Sequence, residues 1–298
     1  MIETVLDTAL PILLAAIGGT IAERTGLLNI GLEGLITLGA FFGFRVVSLG
    51  TVVGYLVAAT VSGAAALIPA ILSTRFRANV FIAALALNLT IAGFVPVVSQ
   101  LAFQTRGVVQ AAAPLDELLV GRLPVPTIVG LVATVVIALA FRYTRTGILL
   151  DAAGQAPDIL RRRGKNPHSL QIVGMVLSGV FCGLAGMYLV VRLDGFVPNI
   201  AAGRGWLALV AVFVGLRTIV GAGIAAVGFA LVDVLTNEAQ GLLQVPGTLL
   251  LAVPYLVTLI AYVVSVVVAE SRKRARLVPK RRTTAASRTR RADSNPSS

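Results

Sequence analysis

The chain has 298 residues, of which 57% are hydrophobic and 13% charged, with a formal net charge of +12 and a mean hydropathy of +0.91. A soluble domain carries roughly a quarter charged residues, so this chain has too few charges to clothe a soluble surface. Ten Lys/Arg and Asp293 put +9 into the 28 residues from Ser271 to Ser298 and leave +3 for the other 270, which excludes reading the whole chain as a nucleic-acid-binding domain, and the scarcity of charge disfavours a soluble enzyme.

The expected fold class is therefore all-α, a polytopic membrane helix bundle. A span needs about 20 apolar residues. In chain order the candidates are Val5–Ala22, Leu28–Phe44, Thr51–Ser73, Val80–Ser99, Val125–Phe141, Ile172–Val191, Trp206–Leu216, Ile219–Leu235 and Thr248–Ala269. The seventh is too short to cross alone and reads as a half-span, or as one tilted with the flanking Gly203–Gly205 stretch. The N-terminus opens without a basic n-region, so no cleavable signal peptide is expected.

Cations set the orientation. Arg24, Arg75, Arg77, Arg142, Arg145, Arg161, Arg162, Arg163, Lys165, Arg217 and the ten tail cations fall on one side, against Arg45, Arg106, Arg122, Arg192 and Arg204 on the other. The positive-inside rule then places the N-terminus outside and the tail inside, with nine spans. An odd count allows two four-span halves of opposite orientation around a fifth, the 4+1+4 arrangement of inverted repeats. The division is a membrane domain over residues 1–270, with a cytoplasmic loop at 142–170, and a disordered basic cytoplasmic tail over 271–298.

Polar residues inside apolar runs carry the chemistry. In the stretch ERTGLLNIGLEG, Asn29 and Glu33 stand four apart and would share a helix face. An ionisable group within a span either lines a polar path or pairs structurally, here by binding a neighbouring helix or capping a broken one. Asn88 reads as a helix–helix hydrogen bond. Gly39/Gly43 and Gly179/Gly183/Gly186 suit close helix packing.

The loop Thr144–Gly164 reads as one short helix broken at Gly154 and Pro157 and a second ending at Gly164. It is either a docking surface for a soluble partner or a charged loop lying on lipid headgroups. Gly164-Lys165-Asn166 fails as a phosphate loop, because Ile159 and Asn166 stand where Gly and Ser/Thr are needed. Cys182 is alone, and His168 sits in a polar loop without a second ligand type. No catalytic set, metal site or cofactor site is expected.

Glu23–Gly43, Thr144–Gly164 and Gly203-Arg204-Gly205-Trp206-Leu207-Ala208-Leu209 resemble the permease subunits of ABC importers, in the branch serving simple sugars, branched-chain amino acids and nucleosides. The similarity runs from about Leu10 to Ala269 and is strongest to the nucleoside type. It implies a non-catalytic permease of the plasma membrane that passes a small polar solute, a nucleoside first of all. The implied partners are an ABC ATPase subunit, a second, related permease and an extracellular solute-binding protein. Sugar or branched-chain amino acid import are the alternatives, and an ion-coupled carrier using Glu33 and Asp233 is the reading from another class.

The resemblance also implies a solute path near Asn29, Glu33, Asn88, Gly203, Arg204 and Trp206. ATPase coupling would fall to Gly147, Asp151, Ala152, Ala153, Gly154, Pro157 and Gly164. The family loop usually carries a basic residue where Asp151 stands, and an aliphatic one where Lys165 follows Gly164.

Overall fold

The structure is a computed structural model. It describes residues 2–242, apart from 106, 112–114, 116–118 and 121–122, together with residue 263. The ninth expected span and the basic run 271–298 lie outside the described residues. By contacts the chain divides into Met1–Tyr262 and Val263–Ser298, and the helices from Ile2 to Leu242 all belong to the first unit.

The elements are α1 (Ile2–Thr25), α2 (Leu32–Val46) with a 3-10 turn at Val47–Leu49, α3 (Thr51–Phe76), α4 (Val80–Phe103), β1 (Val109–Gln110), β2 (Leu119–Val120) and β3 (Leu123–Pro124). They continue with α5 (Val125–Tyr143), α6 (Arg145–Gln155), α7 (Pro157–Arg162), α8 (Pro167–Arg192), β4 (Gly195–Phe196), α9 (Arg204–Val214) and α10 (Ile219–Leu242). Among the described residues six helices are long and apolar enough to cross a membrane. α5 and α6 pass that test only as a pair bent by 74°.

Helix ends follow local chemistry. Asn79 caps α4 by accepting from Phe81 N at 2.9 Å, and Asn166 caps α8 by accepting from His168 N at 3.0 Å. Pro157 and Pro167 occupy the first positions of α7 and α8, where a missing N–H costs nothing. Pro11, Pro69 and Pro96 lie inside α1, α3 and α4, as membrane helices tolerate when neighbours satisfy the freed groups.

The centre of the bundle is α8. A Cβ on Gly179 would meet the Ser62 carbonyl, one on Gly183 the Ala58 carbonyl, and one on Gly186 the Ile36 carbonyl. Helices brought this close gain dispersion contact that lipid cannot match. On the outside, α3, α4, α5 and α10 present Leu56, Ile82, Val136 and Ile224.

Two ends of the bundle are marked by contacts. At one, Asp7 of α1 meets Arg192 at 3.5 Å and Tyr188 Oη donates to Asp7 at 3.3 Å. The same end holds an aromatic cluster: Phe196 lies 5.5 Å from Phe41 and 5.9 Å from Phe44, and Arg45 sits over Phe103. There β4 pairs with β1, Val109 opposite Phe196. At the other end Arg24 binds Asp151 at 2.8 Å and Arg217 binds Glu23 at 3.2 Å. The segment from Phe196 to Arg217 therefore runs from one end to the other, and α9 is only its second half.

Three expectations are corrected. Asn29 and Glu33 do not share a helix face, because Leu27–Ile30 is non-helical and α2 begins at Leu32. Gly154 does not break the loop helix: it lies within α6, and the break falls at Ala156. Arg204 does not stand with Arg45 at the aromatic end; the adjoining Gly203 and Gly205 are bonded to Glu33, twelve residues before Arg45 on α2, or about 18 Å of helix rise.

Candidate functional site

The break between α1 and α2 is built by Asn29. Its side chain accepts from Gly31 N at 3.0 Å and donates to Ser178 Oγ of α8 at 2.9 Å, so a turn of its own chain is tied to the central helix. The residue is fully buried, and both halves of its amide are satisfied, as burial requires. Nearby, Asn88 Oδ1 of α4 accepts from Gly34 N at 2.5 Å, satisfying a first-turn N–H of α2 that has no partner within its own helix.

Glu33 brings a carboxylate to this break. Its Oε1 accepts from Gly203 N at 2.7 Å and its Oε2 from Gly205 N at 2.6 Å. Gly203, the residue before α9, has φ +86 and no side chain to cap with, so Glu33 of α2 supplies the cap from 170 residues away. The negative charge also lies at the positive end of the α9 dipole. A Cβ on Gly205 would strike the Glu33 backbone, which is why the first turn of α9 can lie directly on α2. Arg204 is half-buried and Trp206 is exposed.

The second constellation is the elbow between α5 and α6. Thr144 Oγ1 donates to Ala140 O at 2.6 Å and accepts from Gly147 N at 3.1 Å, closing one helix and opening the next with a single hydroxyl. A Cβ on Gly147 would collide with the Ala140 carbonyl and with Phe141. Only glycine leaves room for so sharp a bend.

α6 then lies on the end of α1. The Arg24–Asp151 pair is part-buried, Arg24 also covers the Phe141 ring at 5.0 Å, and a Cβ on Gly154 would strike the Arg24 carbonyl. Ala153 is fully buried in this contact, whereas Ala152 is half-buried. Pro157 starts α7, and Gly164, at φ +71, follows it. Ile148 of α6 and Ile159 of α7 are more than half exposed, and Arg145, Arg161, Arg162 and Arg163 are exposed on or next to the same two helices.

Residues 1–269 match the family described as branched-chain amino acid transport system / permease component. The chain belongs to that family. Among its relatives, the nucleoside ABC transporter permease protein NupC of Lactococcus lactis subsp. cremoris is 27% identical, over 87% of this chain and 90% of the relative. The guanosine ABC transporter permease protein NupQ of Bacillus subtilis is 26% identical over 88% and 90%. The putative glucose ABC transporter permease protein TsgC13 of Haloferax volcanii is 26% identical over 81% and 78%. No solved structure matches the chain.

The permease is thus a non-catalytic, multi-pass protein of the cytoplasmic membrane, working with a separate ATPase and a binding protein. The ion-coupled carrier reading falls with that membership. The path candidates Asn29, Glu33, Asn88, Gly203 and Arg204 meet where α2, α4, α8 and α9 converge, and the coupling candidates meet on α6 and α7. Sequence reasoning gave Ser178 no role and did not pair Glu23 with Arg217. Ser178, polar within an apolar span and next to Gly179, was a detectable signal, whereas the Glu23–Arg217 pair had none.

Proposed function

We propose that this permease passes nucleosides through the cytoplasmic membrane in an ATP-driven importer, receiving them from an extracellular binding protein and pairing with a second, related permease. The observation that carries the substrate is the match, along about nine-tenths of both chains, to relatives named as nucleoside and guanosine permeases. The orientation proposed is N-terminus outside and basic run 271–298 inside, with nine segments including the half-helix α9 and a 4+1+4 arrangement.

In this reading α6 and α7 dock in the ATPase through Ile148 and Ile159, framed by arginines that meet acidic groups of the partner. The elbow at Thr144 and Gly147 is short, so movement of α6 is passed on without slack. Through Arg24–Asp151 it reaches the end of α1, and through Glu23–Arg217 it reaches the end of α9. Glu33 links the start of α9 to α2. α9 and α2 thus move together and gate a path lined by Gly203, Arg204 and Trp206, with Asn29 and Asn88 holding the frame. A nucleoside is neutral and carries a flat base, which suits a gate with an exposed Trp206 and a carboxylate already held by backbone donors.

The test is uptake of radiolabelled guanosine by membranes holding this permease and its partners. Uptake stops when the ATPase is replaced by a hydrolysis-dead form, and unlabelled nucleosides compete. Competition by glucose and not by nucleosides would favour the sugar reading, for which the Haloferax glucose permeases speak.

A further inference from the structure

Between the C-terminal end of α3 and the N-terminal end of α8 lies a cavity of about 490 Å³, lined among others by Ile71, Thr74, Arg75, Arg77, His168 and Ser169. α3 stops there because Arg77 takes φ +56 and Ala78 N closes back on Leu72 O at 3.0 Å, which turns the chain and holds the second arginine beside the first. Neither Arg75 nor Arg77 has an acidic partner among the described residues. Across the cavity, Asn166 and Pro167 open the 26-residue α8, whose positive dipole end adds to the two guanidinium charges.

His168 is held on both sides. Its Nε2 lies 3.2 Å from Arg161 Nη2 and its Nδ1 lies 3.2 Å from Gln171 Oε1, so the ring accepts from the arginine and donates to the glutamine. The contact draws another cation, Arg161, to the rim. Asp158, its ion-pair partner at 3.5 Å, is strongly exposed.

Apolar groups adjoin the charges. Ile71 both lines the cavity and is 41% exposed, and Leu72, Phe76 and Val173 are exposed on the same turns of α3 and α8. Cations at the end of two membrane helices, directly above bare hydrocarbon-facing side chains, match one ligand chemistry: a phosphate diester carrying acyl chains. We infer that this cavity binds the headgroup of an anionic phospholipid, Arg75 and Arg77 taking the phosphate while Ser169 offers a hydroxyl donor to the glycerol oxygens and Thr74, whose own proton goes to Ala70 O at 2.7 Å, can accept from a glycerol hydroxyl. Basic pockets between membrane helices recognise lipid headgroups in this way. A free phosphate would leave the apolar wall uncovered, and a soluble protein would not reach along the spans to Val173.

The test is native mass spectrometry of the full-length permease, titrated in detergent with phosphatidylglycerol or phosphatidylcholine. Phosphatidylglycerol binds preferentially to the unaltered protein. In the double variant Arg75→Gln/Arg77→Gln its affinity falls about thirtyfold, about fivefold for each cation. Arg290→Gln/Arg291→Gln, which removes the same charge elsewhere, keeps binding within about twofold. Ser169→Trp fills an exposed position at the cavity without removing charge, and it also displaces the lipid. Arg75→Lys/Arg77→Lys keeps most of the binding, because a lysine still holds phosphate. Equal loss in the two double Gln variants would overturn the site, as would displacement of the lipid by millimolar inorganic phosphate. So would a double variant that keeps its lipid and loses the ATPase.

Discussion

The carboxylate of Glu33 and the backbone N–H of Gly205, 172 residues apart in the chain, meet at 2.6 Å. Each residue explains the other. A side chain on Gly205 would occupy the place of the Glu33 backbone, and without Glu33 the half-helix α9 would start deep in the bundle with unpaired donors. The contact fixes α9 to α2 at the point where the polar candidates converge.

Two substitutions test that contact separately. Glu33→Gln keeps one acceptor and loses the charge, so it should destabilise the permease by about 1–3 kcal/mol and slow uptake, with the order of competing solutes unchanged. Gly205→Val should do more harm, since its collision is with backbone that cannot move aside. Thermal unfolding in detergent and uptake competition measure both. A clean switch of solute preference in Glu33→Gln, with normal stability, would show that the carboxylate reads the solute.

α6 has two faces that should respond differently. Ala153 is buried and Gly154 touches the Arg24 backbone, so Ala153→Leu and Gly154→Val should lower the unfolding temperature, by about 1–3 kcal/mol of overpacking or more. Ile148→Asp and Ile159→Asp should leave that temperature unchanged, because both side chains are exposed, and should reduce ATPase co-purification and uptake. A bulky Ala152 variant belongs between the two classes. The contrast disappears if the ATPase docks elsewhere.

Arg24 and Asp151 join α1 to α6 at 2.8 Å, each about one quarter exposed. Charge reversal at either alone should impair uptake, and Arg24→Asp combined with Asp151→Arg should restore part of it. The coupling energy expected from a double-mutant cycle on stability is about 1 kcal/mol. Additive losses in the cycle would reduce the pair to a passive surface contact.

Orientation is open to thiol labelling. Gln110 lies in β1 at the aromatic end and is exposed, and Gln155 is exposed at the end of α6. In intact cells an impermeant maleimide should label Gln110→Cys, and should reach Gln155→Cys only after permeabilisation. The native Cys182 is fully buried and should stay silent in both. Labelling in the reverse order would invert the proposed topology.

Much of the architecture was legible in the chain itself. Apolar run lengths located the helices because a bilayer demands about 20 residues per crossing. α3 and α4 begin where their runs do, and α9 is as short as its run predicts. Glycine spacing in α8 marked the helix that others approach, since nothing else admits so close a backbone. Asn29 and Glu33 stood out because polar residues are expensive in hydrocarbon and must have a use, and Thr144–Gly164 because Gly154, Pro157 and Gly164 punctuate a loop outside the spans.

What each of them touches was decided only by the tertiary structure. Helical periodicity set Asn29 and Glu33 on one face, but the side chain of Asn29 bonded its own turn and Ser178, which ended the helix that periodicity assumed. Gly154 looked like a breaker by propensity, yet it lies within α6, and it is glycine because the backbone of Arg24 lies where a side chain would be. The partners of Glu33, Arg24 and Arg217 are 127 residues or more away or 194 positions back at Glu23. Composition and spacing report what a segment must bury. They carry no information on which distant backbone donors will be left for a carboxylate to find, because that depends on how the helices cross.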